Sequence, residues 1–400
     1  MEVFASDIFQ SPPSRKTLDM ARQIVSTQIS PQTKRLLNNW IQFIASPRLH
    51  LSTLPARGGE EGEGTESPGG GDIDASTQHL IDMQWEKIYI FPPPYNHRIL
   101  PKDTIKTSLF GKISRGYLLK MHPPNNVLQL DREICLKMSN LTLNRKGTKT
   151  GTKERVFEDA LKELECLKVL ARFNHPHIIP LLMHGQLAKP KAVHLVLVFP
   201  LARCSLADKL RLGEVTLDTI HRTRYQIGSA LVFLHAVGFA HRDVSLENIC
   251  ELWDGSLVLI DFGLAKPLRL DSTTTNTAKW QPEPLDLDHL TGARFLVGKL
   301  RYLGPEFFLL PSTSVFDLPV ADVFSFGVCL LYLAIQSFPY QNRFEQEPQH
   351  SVEWRILWTE LPNNHFALVC ESIPPMAWLA PLLYLNPKDR AQLKQVLFPL

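Results

Sequence analysis

The apolar positions of this chain change their spacing from one stretch to the next, and each spacing predicts a different element. Two short apolar runs, Ile249-Cys250-Glu251-Leu252-Trp253 and Ser256-Leu257-Val258-Leu259-Ile260, flank the dipeptide Asp254-Gly255. That arrangement is a strong signal for a hairpin closed by a two-residue turn. In such a hairpin 253 pairs with 256, 252 with 257, and so on down to 248 with 261, so Asn248 and Asp261 are expected to face each other at the open end. From Ala160 to Leu170 the period is helical, with Leu164, Leu167 and Leu170 on one face and Glu163 beside them. His194 to Pro200 is apolar enough for a buried strand. Nearer the start, Ser30-Pro31 is a helix-start signal, Leu36, Leu37, Trp40, Ile41 and Ile44 keep a helical period, and Ser46-Pro47 ends it.

Other stretches cannot build a core. Pro55 to Asp74 is rich in Gly and Glu with almost no apolar residues, and is expected to be a flexible tether. Asn140 to Lys153 is basic and rich in Gly and Thr, and reads as a loop. The chain is therefore expected to divide into an N-terminal helical extension at 1–54, a linker at 55–80, a pre-domain segment at 81–104 and a folded domain at 105–400. The extension, residues 1–54, is expected to dock on the domain as an autoregulatory contact or to bind a partner.

A chain of 400 residues with 44% hydrophobic content can bury one such domain plus a modest extension. Its net charge of +3 implies no general nucleic-acid or membrane surface. The six cysteines, Cys135, Cys166, Cys204, Cys250, Cys329 and Cys370, are dispersed without metal-type spacing. They look like reduced thiols, so an intracellular location, cytoplasmic or nuclear, is expected. Met1 to Gln10 lacks a basic start and a long apolar stretch, so no signal peptide is expected. The apolar run Val328 to Ile335 is far short of the roughly 20 residues that span a bilayer.

The chemistry concentrates around the hairpin. His241-Arg242-Asp243-Val244-Ser245-Leu246-Glu247-Asn248 leads into it and Asp261-Phe262-Gly263 leaves it. Directly opposed hairpin residues have Cβ atoms about 5 Å apart. The Asn248 amide oxygen and the Asp261 carboxylate are therefore expected to share a Mg²⁺ site that also takes substrate phosphate oxygens. Asp243, on the entering loop, would then reach a hydroxyl nucleophile beside that metal. The pattern reads as a phosphotransferase site.

These residues resemble the serine/threonine-type catalytic domain of the eukaryotic protein kinase family, where HRDxxxxN and DFG carry catalysis. The resemblance runs in order from about residue 105 to residue 400. Gly111-Lys112-Ile113-Ser114-Arg115-Gly116-Tyr117-Leu118 looks like the glycine-rich loop, with Ile113 in place of its second glycine. Lys137 resembles the family's ATP lysine, and Glu163, with Glu165 as a rival, resembles the helix glutamate that pairs with it. Phe199 would stand beside adenine, and Pro200, Leu201 and Ala202 would form the hinge. Proline lacks only its N–H, so the Pro200 carbonyl can still accept from adenine while Ala202 donates. Gly298-Lys299-Leu300-Arg301-Tyr302-Leu303-Gly304-Pro305-Glu306 resembles GTxxYxAPE, Asp322-Val323-Phe324-Ser325-Phe326-Gly327 resembles DVWSxG, and Asn386-Pro387-Lys388-Asp389-Arg390 resembles the closing arginine motif.

The resemblance implies an α+β fold of two lobes, the first small and mainly β with one key helix, the second larger and mainly α. It also implies ATP and Mg²⁺ as cofactors, protein Ser/Thr hydroxyls as substrates, Asp243 as catalytic base, a buried Glu306–Arg390 ion pair and an Asp322 that braces the catalytic loop. Because Arg242 precedes Asp243, it further implies control by phosphorylation in the segment from Asp261 to Glu306, which contains Ser272, Thr273, Thr274, Thr275 and Thr277.

Two departures bear on chemistry. The family usually carries Lys two residues after the catalytic Asp, where this chain has Ser245, and Thr where it has Lys299. The lysine and the hydroxyl look exchanged, so Lys299 is expected to meet the γ-phosphate or Asp243, with Ser245 as its partner. A cation about 4 Å from developing charge contributes on the order of 4 kcal/mol at an effective dielectric near 20. The alternative is that Lys299 is a solvated loop residue and that Ser245 weakens catalysis. Ile113, Ser245, Lys299 and Gly304 together motivate a second function, a nucleotide-binding pseudokinase scaffold. A small-molecule kinase of related fold is disfavoured by the GPE segment and the DVFSFG helix.

Overall fold

A computed structural model describes residues 89–90, 97–108, 111–122, 127–141, 160–189, 192–268, 283–284, 296–310, 315–337, 339 and 351–397. The expected N-terminal helix, the linker, nearly all of the basic 140–153 stretch and the Ser/Thr run 272–277 lie outside them. The described chain forms two compact units. One holds the strands up to Leu141 together with Leu182–Leu201, and the other holds Ala160–Leu181 and the chain from Ala202 onward.

The first unit is an antiparallel sheet. Its strands are β1 (Tyr89–Ile90), β2 (His97–Ser108), β3 (Gly111–His122), β4 (Val127–Asn140), β5 (Met183–Lys189) and β6 (Ala192–Pro200), in the spatial order β1-β2-β3-β4-β6-β5. Alternation along β4 sends Ile134, Leu136 and Met138 to one face, where they pack with Ile99, Leu118, Met183, Val196 and Val198. β6 is buried on both faces, because Leu195 and Leu197 are as covered as Val196 and Val198. That explains its unbroken apolar run.

The second unit opens with α1 (Ala160–Ala171), which buries Leu164, Leu167 and Leu170 as the helical period requires. After β7 (Cys204–Ser205) come α2 (Leu206–Arg211) and α3 (Leu217–Arg222). Each starts on a reciprocal cap, Ser205 with Asp208 and Thr216 with Thr219. A π-helical turn, Thr223–Ile227, joins α3 to α4 (Gly228–Ala236). Next come β8 (Phe239–Ala240), β9 (Ile249–Glu251), β10 (Leu257–Leu259) and β11 (Lys266–Pro267), and β12 (Glu283–Pro284) pairs later with β13 (Val315–Phe316). Helices α5 (Glu306–Leu309), α6 (Leu318–Ile335), α7 (Ser351–Glu360), α8 (His365–Glu371) and α9 (Leu393–Leu397) complete the unit.

The core of this unit surrounds α6. Phe324, Trp354, Trp358 and Phe366 make ring contacts at 6.0–6.5 Å and are almost fully buried. The apolar stretch of α6 is longer than its Val328–Ile335 part, and by length and composition the helix could cross a membrane. Its burial inside the unit, with Asp322 bonded within it, makes it the core helix here.

Candidate active site

The hairpin that organises the site has a different register from the one its sequence predicts. β9 and β10 pair Glu251 with Leu257, Cys250 with Val258 and Ile249 with Leu259. The Leu252 N–H donates to the Ser256 carbonyl at 2.8 Å and the Gly255 N–H to the Leu252 carbonyl at 3.0 Å, so the loop is the three residues Trp253, Asp254 and Gly255. Gly255 adopts φ +82°, the left-handed conformation in which such loops close. The Ile260 N–H donates to the Asn248 carbonyl at 2.9 Å, so Asn248 faces Ile260 and not Asp261. Asp261 lies one residue further on, where φ turns to +62° and the chain leaves the strand. Without that turn, a one-residue slip would have put Asp261 on the other face of the ribbon.

Buried charges tie the hairpin to the helices beside it. Glu251 accepts from Lys209 Nζ at 2.7 Å, Arg203 Nη1 at 3.2 Å and Arg222 Nη1 at 3.3 Å. Burial works to raise the Glu251 carboxyl, but the hydrogen bond and charge of Lys209, then Arg222, outweigh it and hold the group below the usual carboxylate range. Arg222 also donates to the Gly255 carbonyl, which anchors the hairpin loop on α3.

The loop from His241 to Asn248 is clamped at its start. Asp322 Oδ2 accepts from the His241 N–H at 2.7 Å and from His235 Nε2 at 2.9 Å, and its Oδ1 accepts from the Arg242 N–H at 2.8 Å. The clamp holds Arg242 at φ +69°, a conformation few side chains adopt. His241 is fully buried. Its Nδ1 accepts from the Asp243 N–H at 3.3 Å and its Nε2 meets the Ile260 carbonyl at 3.1 Å, which fixes a neutral ring with the proton on Nε2. Burial lowers its pKa, in accord with that neutral form. The Phe262 ring meets it edge-on at 5.1 Å.

Asp243 is held by two other residues of the site. The Asn248 side-chain amide donates to the Asp243 carbonyl at 2.9 Å and to its Oδ2 at 2.6 Å. Lys299 grips both carboxylate oxygens, its backbone N–H donating to Oδ1 at 3.2 Å and its ammonium to Oδ2 at 2.9 Å. The same ammonium donates to Ser245 Oγ at 2.8 Å. Lys299 is therefore no solvated loop residue. Because both amide hydrogens of Asn248 turn to Asp243, its Oδ1 is the atom left for a cation, and Asp261 brings carboxylate oxygens. An amide oxygen with a carboxylate suits Mg²⁺, a hard cation that takes its remaining ligands from water or phosphate.

Gly298 is the residue that sequence reasoning missed. At φ +99° it passes so close to the loop that a Cβ would lie 2.5 Å from the Arg242 carbonyl. Its signal was visible as the glycine directly before Lys299. Tyr302 anchors the same segment, because Ser325 Oγ donates to its carbonyl at 2.8 Å.

The other expected site residues are placed as follows. Lys137 lies in β4 opposite Ile113 and Leu197. Glu163 is 2% exposed in the first turn of α1 whereas Glu165 is exposed, so burial separates the two rival glutamates. Pro200 ends β6, and Ala202 follows two residues later. The stretch Gly111–Leu118 lies within β3, which Gly111 begins opposite Ser108 of β2. Ser114, Gly116 and Leu118 are buried at alternate positions, and a Cβ on Gly116 would sit 2.9 Å from the Leu100 carbonyl and 3.1 Å from Leu136 Cδ1. Sheet packing accounts for that glycine.

Glu306 and Arg390 form the implied buried pair, with parallel bonds of 2.6 and 2.7 Å. A Cβ on Gly304 would meet the Glu306 carboxylate, so a larger residue there needs that side chain to shift.

The chain matches the protein kinase domain family model over residues 130–398, and it belongs to that family. It is similar to CBL-interacting serine/threonine-protein kinase 7 of Arabidopsis thaliana, 26% identical over 258 residues that cover 63% of this chain and 52% of the relative. Probable serine/threonine-protein kinase RTK1 of Saccharomyces cerevisiae is 31% identical over 155 residues, 39% of this chain and 22% of the relative. Receptor-like serine/threonine-protein kinase At1g78530 of Arabidopsis thaliana is 26% identical over 263 residues, 64% of this chain and 61% of the relative. The chain thus spans about half the length, or less, of most of these relatives.

Proposed function

We propose that this chain is a protein serine/threonine kinase that transfers the γ-phosphate of ATP to protein hydroxyls. The observation that carries the proposal is the Asp243 carboxylate, oriented by Asn248 and Lys299 on a loop whose backbone Asp322 clamps. Asp243 accepts the proton of the attacking hydroxyl and holds that hydroxyl in line. Asn248 and Asp261 would hold Mg²⁺, which neutralises phosphate charge when bound. By resemblance to the family, Lys137 would position the nucleotide phosphates, and Gly111, Glu163, Pro200 and Ala202 are the other residues proposed for the nucleotide. Most of the work assigned to the chain is positioning and electrostatics.

The serine/threonine direction is supported by Glu247-Asn248 at the loop end and by the names of the relatives above. Protein substrates are the partners proposed, with residues 1–54 as a recruiting or autoregulatory extension. An intracellular place is supported by six dispersed cysteines that form no disulfide with one another. The scaffold alternative loses support at Lys299, which is bonded to Asp243.

Transfer of the γ-phosphate from Mg-ATP to a generic protein and to the chain itself tests the proposal. Asp243→Asn and Asp261→Asn are each expected to lower turnover by about 10²-fold or more. Nucleotide binding by the wild type without transfer would favour the scaffold.

A further inference from the structure

Resting on the phosphotransfer reading, we propose that Lys299 is the positioning cation of the active site. It is delivered to Asp243 from the segment 296–304 and not from the catalytic loop, and Ser245 is the hydroxyl built to receive it.

Three observations converge. Lys299 holds Oδ1 of Asp243 through its backbone and Oδ2 through its ammonium, so one residue sets both the place and the tilt of the carboxylate. Ser245 is 0% exposed, and its Oγ has the Lys299 ammonium 2.8 Å away. A hydroxyl so buried would be orphaned without that donor. Gly298, finally, permits the close backbone approach that brings Lys299 in, and Ser325 holds Tyr302 three residues on.

An ordinary exposed ion pair has none of this support and is worth little. Lys299 is only one-third exposed, and its ammonium has two partners in the site. Of its three N–H groups, one goes to Asp243 and one to Ser245. The third has no partner among the described residues and is proposed for substrate phosphate.

The ammonium and the Ser245 hydroxyl meet at one point from positions 54 apart in the chain. What matters for Asp243 is that a cation stands there, whichever segment carries it. The ammonium and the hydroxyl are therefore interchangeable between the two positions. The active geometry also depends on the docking of 296–304, because that segment brings the charge.

The test uses the full chain with Mg-ATP and a generic protein substrate, comparing wild type, Lys299→Thr, Ser245→Lys and the reciprocal double variant Ser245→Lys/Lys299→Thr. Lys299→Thr is expected to lower kcat by about 30-fold or more with the KM for ATP changed by less than about 3-fold, the mark of an interaction that positions the base. The double variant is expected to recover at least about 10-fold over Lys299→Thr, which a merely structural lysine would not give. Wild-type kcat in Lys299→Thr, or a double variant no faster than Lys299→Thr, overturns the proposal.

A second readout does not need activity. Thermal unfolding of Lys299→Met, Asp243→Asn and their combination should show midpoint losses that do not add, and additive losses overturn the contact. If the wild type itself transfers nothing, the phosphotransfer reading fails, while this cycle still decides whether Lys299 holds Asp243.

Discussion

Two carboxylate–cation pairs in the second unit differ in how completely the protein closes them. Glu306 and Arg390 are 4% and 0% exposed, and every guanidinium N–H region has a partner: Glu306 at 2.6 and 2.7 Å, the Tyr384 carbonyl at 2.7 Å and the Leu385 carbonyl at 3.0 Å. The Phe324 ring lies 4.5 Å from the guanidinium. Asp243 and Lys299 are 12% and 34% exposed, and their ammonium keeps one N–H without a partner among the described residues. The first pair uses a rigid planar fork and the second a point charge on a flexible stem. A pair closed on all sides can only hold the fold, whereas a pair left open on one side can still engage something that arrives.

The largest expected effect breaks the closed pair. Glu306→Ala leaves Arg390 charged and buried, and should cost about 3–5 kcal/mol in chemical denaturation. A loss comparable to that of Lys299→Met would erase the contrast between the pairs. Arg390→Lys keeps the charge but loses the fork and its carbonyl bonds, at a cost of about 2 kcal/mol by the same measurement.

On the open side, Gly298→Ala meets both a left-handed φ and the Arg242 carbonyl, a strain of about 1–2 kcal/mol. It should lower kcat by pulling Lys299 back while the unfolding midpoint moves only a few degrees.

The effect that is smallest near neutral pH, and grows with acid, sets the pH at which the pairs can be compared. Burial, with the neighbouring His177 adding to it, pushes His175 down to about 3 from an ordinary value of 6.5. Its Nδ1 accepts from the His177 N–H at 3.2 Å, a bond that protonation removes. The folded form therefore binds fewer protons than the unfolded chain. The stability is complete above about pH 6.5 and is lost as pH falls toward 3, with a slope of at most about 1.4 kcal/mol per unit and less than about 1 kcal/mol gone at pH 6. In His175→Gln the unfolding midpoint should lose that slope, and an unchanged slope would place the acid sensitivity elsewhere.

Motif order made the second unit's machinery legible, because HRDVSLEN, DFG and the GPE segment each carry their own residue chemistry. What stayed hidden depended on geometry. Asp254-Gly255 serves a two-residue and a three-residue loop equally well, so only the bonds of Leu252 with Ser256 and Gly255 reveal the register. Two glycines five apart could be read in the sequence at 111 and 116, but not that the sheet neighbours of Gly116 leave no room for a side chain. Glu163 and Glu165 both fit the helix, and burial alone divides them. The departures at Ser245 and Lys299 were readable as letters, but their shared hydrogen bond joins residues too far apart in the chain for any local pattern to show it.

The π-helical turn between α3 and α4 has a consequence of its own. One extra residue per turn rotates everything after it by about 100° relative to an unbroken α-helix. A helical wheel drawn from Leu217 to Ala236 as one cylinder would place the buried Ile220, Ile227, Leu231 and Leu234 within about 60° of one another, so the wheel alone gives no sign of the turn. Gly228, Ala230, Leu231, Phe233 and Leu234 are buried at positions spread round α4 and none of its residues is exposed, so removing a single residue from Thr223–Ile227 would force α4 to repack on every side.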